Sequence, residues 1–419
     1  MLQVLTAGRL QLLKYGRWAV LLALFSIPIN KPATSIFLFL ALLCSLIGAQ
    51  PVQRWKAPLR EPIVLGMLAW FAVLLLSALH AADNPQRWAD LGVYKALLYP
   101  LLIASLLNDQ NWRERGLFAY GAAALLVLLL SWSQLFGLLP APDITATFEA
   151  YRYTVFHEYS QQGLQMLILA SLCAAFAPRL THPRWRNALW LVAALAVADV
   201  LFLLQSRTAY LAILCLLLYW SWRLTAQQHG KTSKLLLALL VAVTLSVSLT
   251  LAPRMQARME AAQQDISQYL AHHEASSLGI RLELWRRTLP IIAAAPWFGH
   301  GLGEWLTQYR AQTSTLNDFD AFRMKHPHND ALLILAEEGV AGFLFWVTLL
   351  VLLARRLRTL QPVQRDFFAS LLLIFLAAGT ANCLLVDFVN RHVFILLLAC
   401  FPILLVPKNK APGVKPTLS

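Results

Sequence analysis

Long apolar runs separated by short polar connections dominate the chain from about residue 18 to 252 and again from about 328 to 406. A membrane-spanning helix needs about 20 mostly apolar residues. On that criterion the pattern predicts twelve spans, at roughly 18–30, 33–50, 62–81, 90–108, 117–139, 157–177, 187–205, 208–222, 235–252, 328–354, 367–385 and 392–406. The first run could be mistaken for a secretory leader, but a second follows directly after Asn30-Lys31-Pro32, so the two read as a retained hairpin of spans. The expected fold is an all-α polytopic integral membrane protein.

One polar stretch, from about 253 to 327, is far longer than the other connections, and loops of such length rarely lack structure of their own. Residues 254–272 and 282–295 have the amphipathic pattern of helices lying on a membrane surface or closing over a site, the second broken near Pro290. The chain therefore divides into spans one to nine (1–252), a helical loop (253–327), and spans ten to twelve with a short tail (328–419).

Composition removes the main alternatives. Only 13% of the 419 residues are charged and 58% are hydrophobic, with a mean hydropathy of +0.58. A soluble domain carries about 25% charged residues, and a disordered chain needs low hydrophobicity and high charge. The net charge of +14 would suggest nucleic acid in a soluble protein, but here topology explains it first, because Lys and Arg collect in cytoplasmic segments. With the N-terminus placed inside, twenty-one of the thirty-five Lys and Arg fall in inner segments. An even number of spans then puts both termini in the cytoplasm and the 253–327 loop outside. That loop holds eight of the remaining basic residues, a basic outer face suited to phosphate-bearing substrates. The five cysteines lie in apolar runs without a CxxC pair, so neither a zinc site nor a disulfide framework is indicated.

Charge at the outer ends of spans is costly and marks candidate function. Gln205-Ser206-Arg207-Thr208 joins the seventh and eighth spans with almost no loop, leaving Arg207 at the boundary or snorkelling from a helix end. Gly279-Ile280-Arg281-Leu282-Glu283-Leu284-Trp285 opens the second loop helix, where Arg281 could act on a ligand or pair with Glu283. The Pro296-Trp297-Phe298-Gly299-His300-Gly301-Leu302-Gly303 stretch after it resembles a phosphate loop only in its glycines, since no strand precedes it and no GK[ST] follows. Lys325-His326-Pro327-His328-Asn329-Asp330 enters the tenth span, with His326 held extended by Pro327 and either His328 or Asn329 capping the helix. Asp387-Phe388-Val389-Asn390-Arg391-His392 precedes the last span, where Asp387 and Arg391 either pair or serve a site. Asp318-Phe319-Asp320 is a DxD of the kind that can hold a divalent metal, though such spacing is common by chance. Arginine forks suit phosphate oxygens and histidine suits a general base near neutral pH, so the shared side of these groups fits an enzyme acting on a lipid-linked phosphate.

The order and spacing of Ser206-Arg207, Gly279-Ile280-Arg281 to Trp285 with Pro296-Trp297-Phe298-Gly299, and His326-Pro327-His328-Asn329 resemble the O-antigen ligase family, within a group that includes O-antigen polymerases and protein O-oligosaccharyltransferases. The resemblance covers nearly the whole chain and implies a glycosyltransferase-C-like fold in the bacterial inner membrane with a periplasmic active site. It implies transfer of polysaccharide from undecaprenyl diphosphate to a sugar hydroxyl of lipid A–core, inverting and without a metal or other cofactor. By matched position Arg207 and Arg281 would bind the diphosphate, and His328 would be the base, with His326 the second choice. Asp387 would orient an arginine or the acceptor, with Arg391, Asn329 and Arg152 in support. The expected partners are the lipid-linked O-antigen, lipid A–core and membrane lipid. A polymerase would use similar motifs. Protein O-oligosaccharyltransferases usually extend further past the last spans, whereas a dozen or so residues are expected here. A transporter would place its polar residues at mid-membrane.

Overall fold

A computed structural model describes residues 2–81, 84–140, 153–227, 277–313 and 325–400. Among them every regular element is helical. The helices are α1 (Leu2–Ser26), α2 (Lys31–Ile47), α3 (Pro51–Lys56), α4 (Pro62–His80), α5 (Gln86–Tyr94), α6 (Tyr99–Leu106), α7 (Gln110–Leu135), α8 (Tyr159–Phe176) and α9 (Pro183–Ala198). They continue with α10 (Arg207–Gln227), α11 (Ser277–Ala294), α12 (Glu304–Thr313), α13 (Asp330–Glu337), α14 (Gly339–Leu357), α15 (Pro362–Gly379) and α16 (Phe388–Ala399).

Local sequence sets the helix starts. Asn30 caps α2 through Ala33 N (2.8 Å) and Asp109 caps α7 through Trp112 N (3.0 Å). Prolines stand in the first turns of α2, α3, α4, α9 and α15, where a missing N–H costs nothing.

Seven stretches of helix among the described residues are long and apolar enough to cross a membrane, or eight if the bent pair α2–α3 counts as one span. This is a polytopic membrane protein. The expected ninth span, the 254–272 helix, Asp318, Asp320 and Arg152 lie outside the described residues. Three expected spans are not continuous α-helices. A 3-10 turn at Lys95–Leu98 separates α5 from α6, α9 runs into a π-helical turn at Asp199–Leu204, and the tenth span is broken at Glu338 between α13 and α14. Pro290, by contrast, lies within the continuous helix α11.

α8 is the central helix, with nearly every described side chain buried. α14 is peripheral and mostly unburied, and its Leu344 faces outward, as do Ile36, Phe39, Leu76, Trp190 and Leu218 on other helices. Lipid can cover such a surface without the hydrophobic cost that water would impose. A second, smaller core joins α11 (Leu284, Ile291), α12 (Trp305, Tyr309), α13 (Leu333, Ala336) and Cys383. The described part of the long loop is thus packed onto the helices that follow it.

The glycine-rich stretch makes that packing possible. Gly299, Gly301 and Gly303 have φ of +68°, +102° and +81°, and a Cβ on Gly301 would stand 2.5 Å from the Ala81 backbone. The stretch bonds to the break in the tenth span, His300 N to Ala336 O (3.0 Å) and Gly301 N to Glu337 O (2.9 Å). Its glycines serve close backbone approach.

Candidate functional site

Each candidate side chain sits where a helix begins or ends. Gln205 takes a left-handed conformation (φ +50°) after the π-helical turn, and buried Ser206 caps α10 by accepting from Ala209 N (3.3 Å). Arg207 is therefore the first residue of α10. Arg281 lies in the second turn of α11, and Trp285 follows one turn later on the same face. The Trp285 indole donates to Pro327 O (3.0 Å), which fastens the histidine segment to α11.

In that segment His328 has a left-handed backbone (φ +53°), a strained state for a residue with a side chain and one often found at functional sites. Asn329 is the helix cap, its Oδ1 accepting from Leu332 N (3.1 Å). The two histidine rings meet edge to face with centroids 4.5 Å apart. Burial pushes His326 down to about 3, with His328 adding to the shift. His328 also lies below the ordinary histidine value, first through burial and then through the charge of Arg281, against a hydrogen bond with Asn382 that works the other way. Burial lowers Arg281 too, opposed by Tyr159 and reinforced by the nearby Arg207 charge.

These groups share a cavity of about 1070 Å³ lined by helix ends. Arg207, Arg281, His326, His328 and Asp387 all line it, with Tyr159 and Gln161 from the start of α8 and Asn382 from the turn after α15. The lining also carries Lys31, Arg310 and Lys325 beside the acidic Asp90, Glu158 and Glu337. None of the described basic residues assigned to inner segments lines the cavity. Two of them have acidic partners, Arg356 with Glu61 (3.4 Å) and Arg223 with Asp366 (2.6 Å).

Two expected pairings take a different form. Glu283 holds Arg286 (2.8 Å) and Arg287 rather than Arg281, because only i+3 and i+4 positions lie beside it on the helix. Asp387 does not pair with Arg391. It caps α16 through Asn390 N (2.8 Å) and accepts from Gln161 Nε2 (2.5 Å), while Arg391 donates to Leu385 O (2.9 Å) and Val386 O (2.8 Å). Arg391 and Asn329 support the walls without lining the cavity. Among the described residues no three His, Cys, Asp or Glu side chains are grouped closely enough to hold a metal ion.

Sequence reasoning passed over Asn382 and Gln161. Gln161 belongs to a run of polar residues, Gln161, Gln162 and Gln165, in an otherwise apolar span, and that run is a readable signal. Asn382 was hidden inside an eleventh span expected to run to 385, whereas α15 ends at Gly379.

Fold and cavity define a polytopic membrane protein, helical in the regular elements of its described residues, with a polar, charged site lined by helix ends and connecting segments. Residues 191–347 match the family model described as O-antigen ligase, and the matched stretch includes Arg207, Arg281, His326 and His328. The match supports a ligase- or polymerase-type, glycosyltransferase-like role. No curated protein matches the chain.

Proposed function

We propose that the protein is an O-antigen ligase of the bacterial inner membrane, with about twelve spans, both termini cytoplasmic and the cavity open to the periplasm. It transfers a polysaccharide from undecaprenyl diphosphate to a sugar hydroxyl of lipid A–core. The observation that carries this reading is the meeting of Arg207, Arg281 and His328 in one cavity. Two guanidinium groups within electrostatic reach of each other repel, and a diphosphate placed between them removes that penalty. An imidazole kept neutral by burial beside them is ready to accept a proton.

In the reaction the acceptor hydroxyl oxygen attacks the anomeric carbon of the donor sugar. Its proton passes to His328. The bond from the anomeric carbon to the phosphate oxygen breaks, its electron pair leaves with the diphosphate, and Arg207 and Arg281 stabilise the charge that develops there. Attack opposite the leaving group inverts the anomeric carbon. Asp387, bonded to Gln161, holds the first turn of α16 beside the cavity. No step uses a metal.

The test is reconstitution with lipid-linked glycan and rough lipopolysaccharide, read by gel. The expected result is a shift of lipopolysaccharide to higher mass that persists in a chelator. Lengthening of the lipid-linked glycan alone would instead indicate a polymerase, and movement of lipid-linked glycan across the bilayer without transfer a transporter. Loss of transfer in chelator with recovery on adding a divalent ion would overturn the metal-free mechanism and return attention to Asp318 and Asp320.

A further inference from the structure

Three consecutive residues, His328, Asn329 and Asp330, grip the turn that follows α15. His328 Nδ1 lies 3.2 Å from Asn382 Oδ1. Asn329 donates through Nδ2 to Thr380 O (3.0 Å) and through its backbone N–H to Cys383 Sγ (3.2 Å). Buried Asp330 accepts from Leu384 N (3.2 Å) and Leu385 N (3.1 Å). A Cβ on Gly379 would stand 2.7 Å from Asp330 Oδ2, so the turn is seated against this segment without spare room.

The hydrogen bonding of Asn382 fixes more than position. Its Oδ1 also receives the backbone N–H of Cys383 at 3.0 Å. A backbone N–H can only donate, so the atom it meets is the carboxamide oxygen and not the nitrogen. The same oxygen faces His328 Nδ1. An unprotonated Nδ1 would set lone pair against lone pair there, so Nδ1 carries the hydrogen. A neutral imidazole has only one N–H, and Nε2 is left with its lone pair.

We propose that Asn382 is a positioning residue that holds His328 in the tautomer with hydrogen on Nδ1, making Nε2 the atom that takes the acceptor proton. The proposal rests on the reading of His328 as the base. It gives Asn382 the work that a carboxylate often does for a catalytic histidine, orientation and choice of tautomer, without a negative charge that would raise the basicity of the ring. A carboxylate there would favour the imidazolium and compete for protons at neutral pH. Arg281, Lys325, His326, Asp387 and Cys383 share the cavity with His328 and are unchanged in the variants below.

The experiment compares Asn382→Ala, Asn382→Asp and His328→Ala in the reconstituted assay across pH, with the amount of solubilised protein as a control. Asn382→Ala is expected to lower kcat by about tenfold to a hundredfold, part of the hundred- to ten-thousandfold that a general base supplies, with KM for the lipid-linked donor changed much less. Asn382→Asp is expected to recover most of the rate at high pH and to move the acid limb of kcat/KM upward. An Asn382→Ala variant with wild-type kcat, or an Asn382→Asp variant with an unmoved acid limb, would overturn the proposal. If Asn382→Ala does not accumulate, the pH profile of Asn382→Asp decides. Retained activity in His328→Ala would instead remove the base assignment itself, so the two failures are distinguishable.

Discussion

Arg207→Ala and Arg281→Ala are each expected to lower transfer by about a hundred- to a thousandfold, the usual loss when one electrostatic donor to a developing negative charge is removed. Both variants should still accumulate in the membrane. Arg207 begins α10 and Arg281 lines an open cavity, so neither substitution empties a packed core. The loss should appear in kcat more than in donor affinity, because charge on the diphosphate grows as the glycosidic bond breaks. Lysine at either position should restore only part of the rate, since an ammonium cannot make the two parallel contacts of a guanidinium fork. The double variant is expected to be little worse than either single one if both grip the same group. Normal amounts of polymer-capped lipopolysaccharide from either single variant would show that the diphosphate lies elsewhere.

His328→Ala is expected to remove about a hundred- to ten-thousandfold of the rate, and His326→Ala distinctly less. Both rings line the cavity, so position alone does not separate them. Proton affinity does. A base held down to about 3 accepts a proton too weakly to help at neutral pH, and His326 is such a base. His328 is lowered as well, by burial and then by Arg281. A base works unprotonated, so activity should be full above the His328 value and fall as pH drops through it, below the ordinary histidine value of about 6.5. Replacing Arg281 by Gln removes a positive neighbour, and the acid limb of its residual kcat/KM should move upward. A wild-type acid limb above the ordinary histidine value would overturn the assignment of His328 as the base, and a greater loss from His326→Ala would exchange the roles of the two residues.

The parts of this architecture legible in the sequence were those written in hydropathy and charge. Apolar length marks the spans, and the sidedness of Lys and Arg separates the cavity end from the end where Arg223 and Arg356 find acidic partners. Arg207, Arg281, His326, His328 and Asp387 stood out as polar groups at outer span ends, and all five line one cavity. The breaks within spans were not legible. A 3-10 turn at Lys95–Leu98 or a halt at Glu338 leaves the apolar average almost unchanged, because hydropathy records what a residue dissolves in and not how its backbone is bonded. Asn382 was lost for the same reason, absorbed into an apolar run that extends past the true helix end. Partner choice was also hidden. Asp387 and Arg391 are close in sequence, yet each finds its bond elsewhere, in Gln161 and in backbone carbonyls.

The bond from Trp285 to Pro327 has a mechanical consequence. It joins the helix that carries Arg281 to the segment that carries His328, and the small core of α11, α12 and α13 binds them further. Arg207 stands on another element, the start of α10, which packs against α15. The two arginines thus reach the cavity from the bundle and from the loop assembly, and the histidine segment is tied to both. The distance from the loop-side arginine to the proton acceptor is therefore set by the Trp285–Pro327 bond and the small core, and the grip on the turn after α15 refers that distance to the bundle.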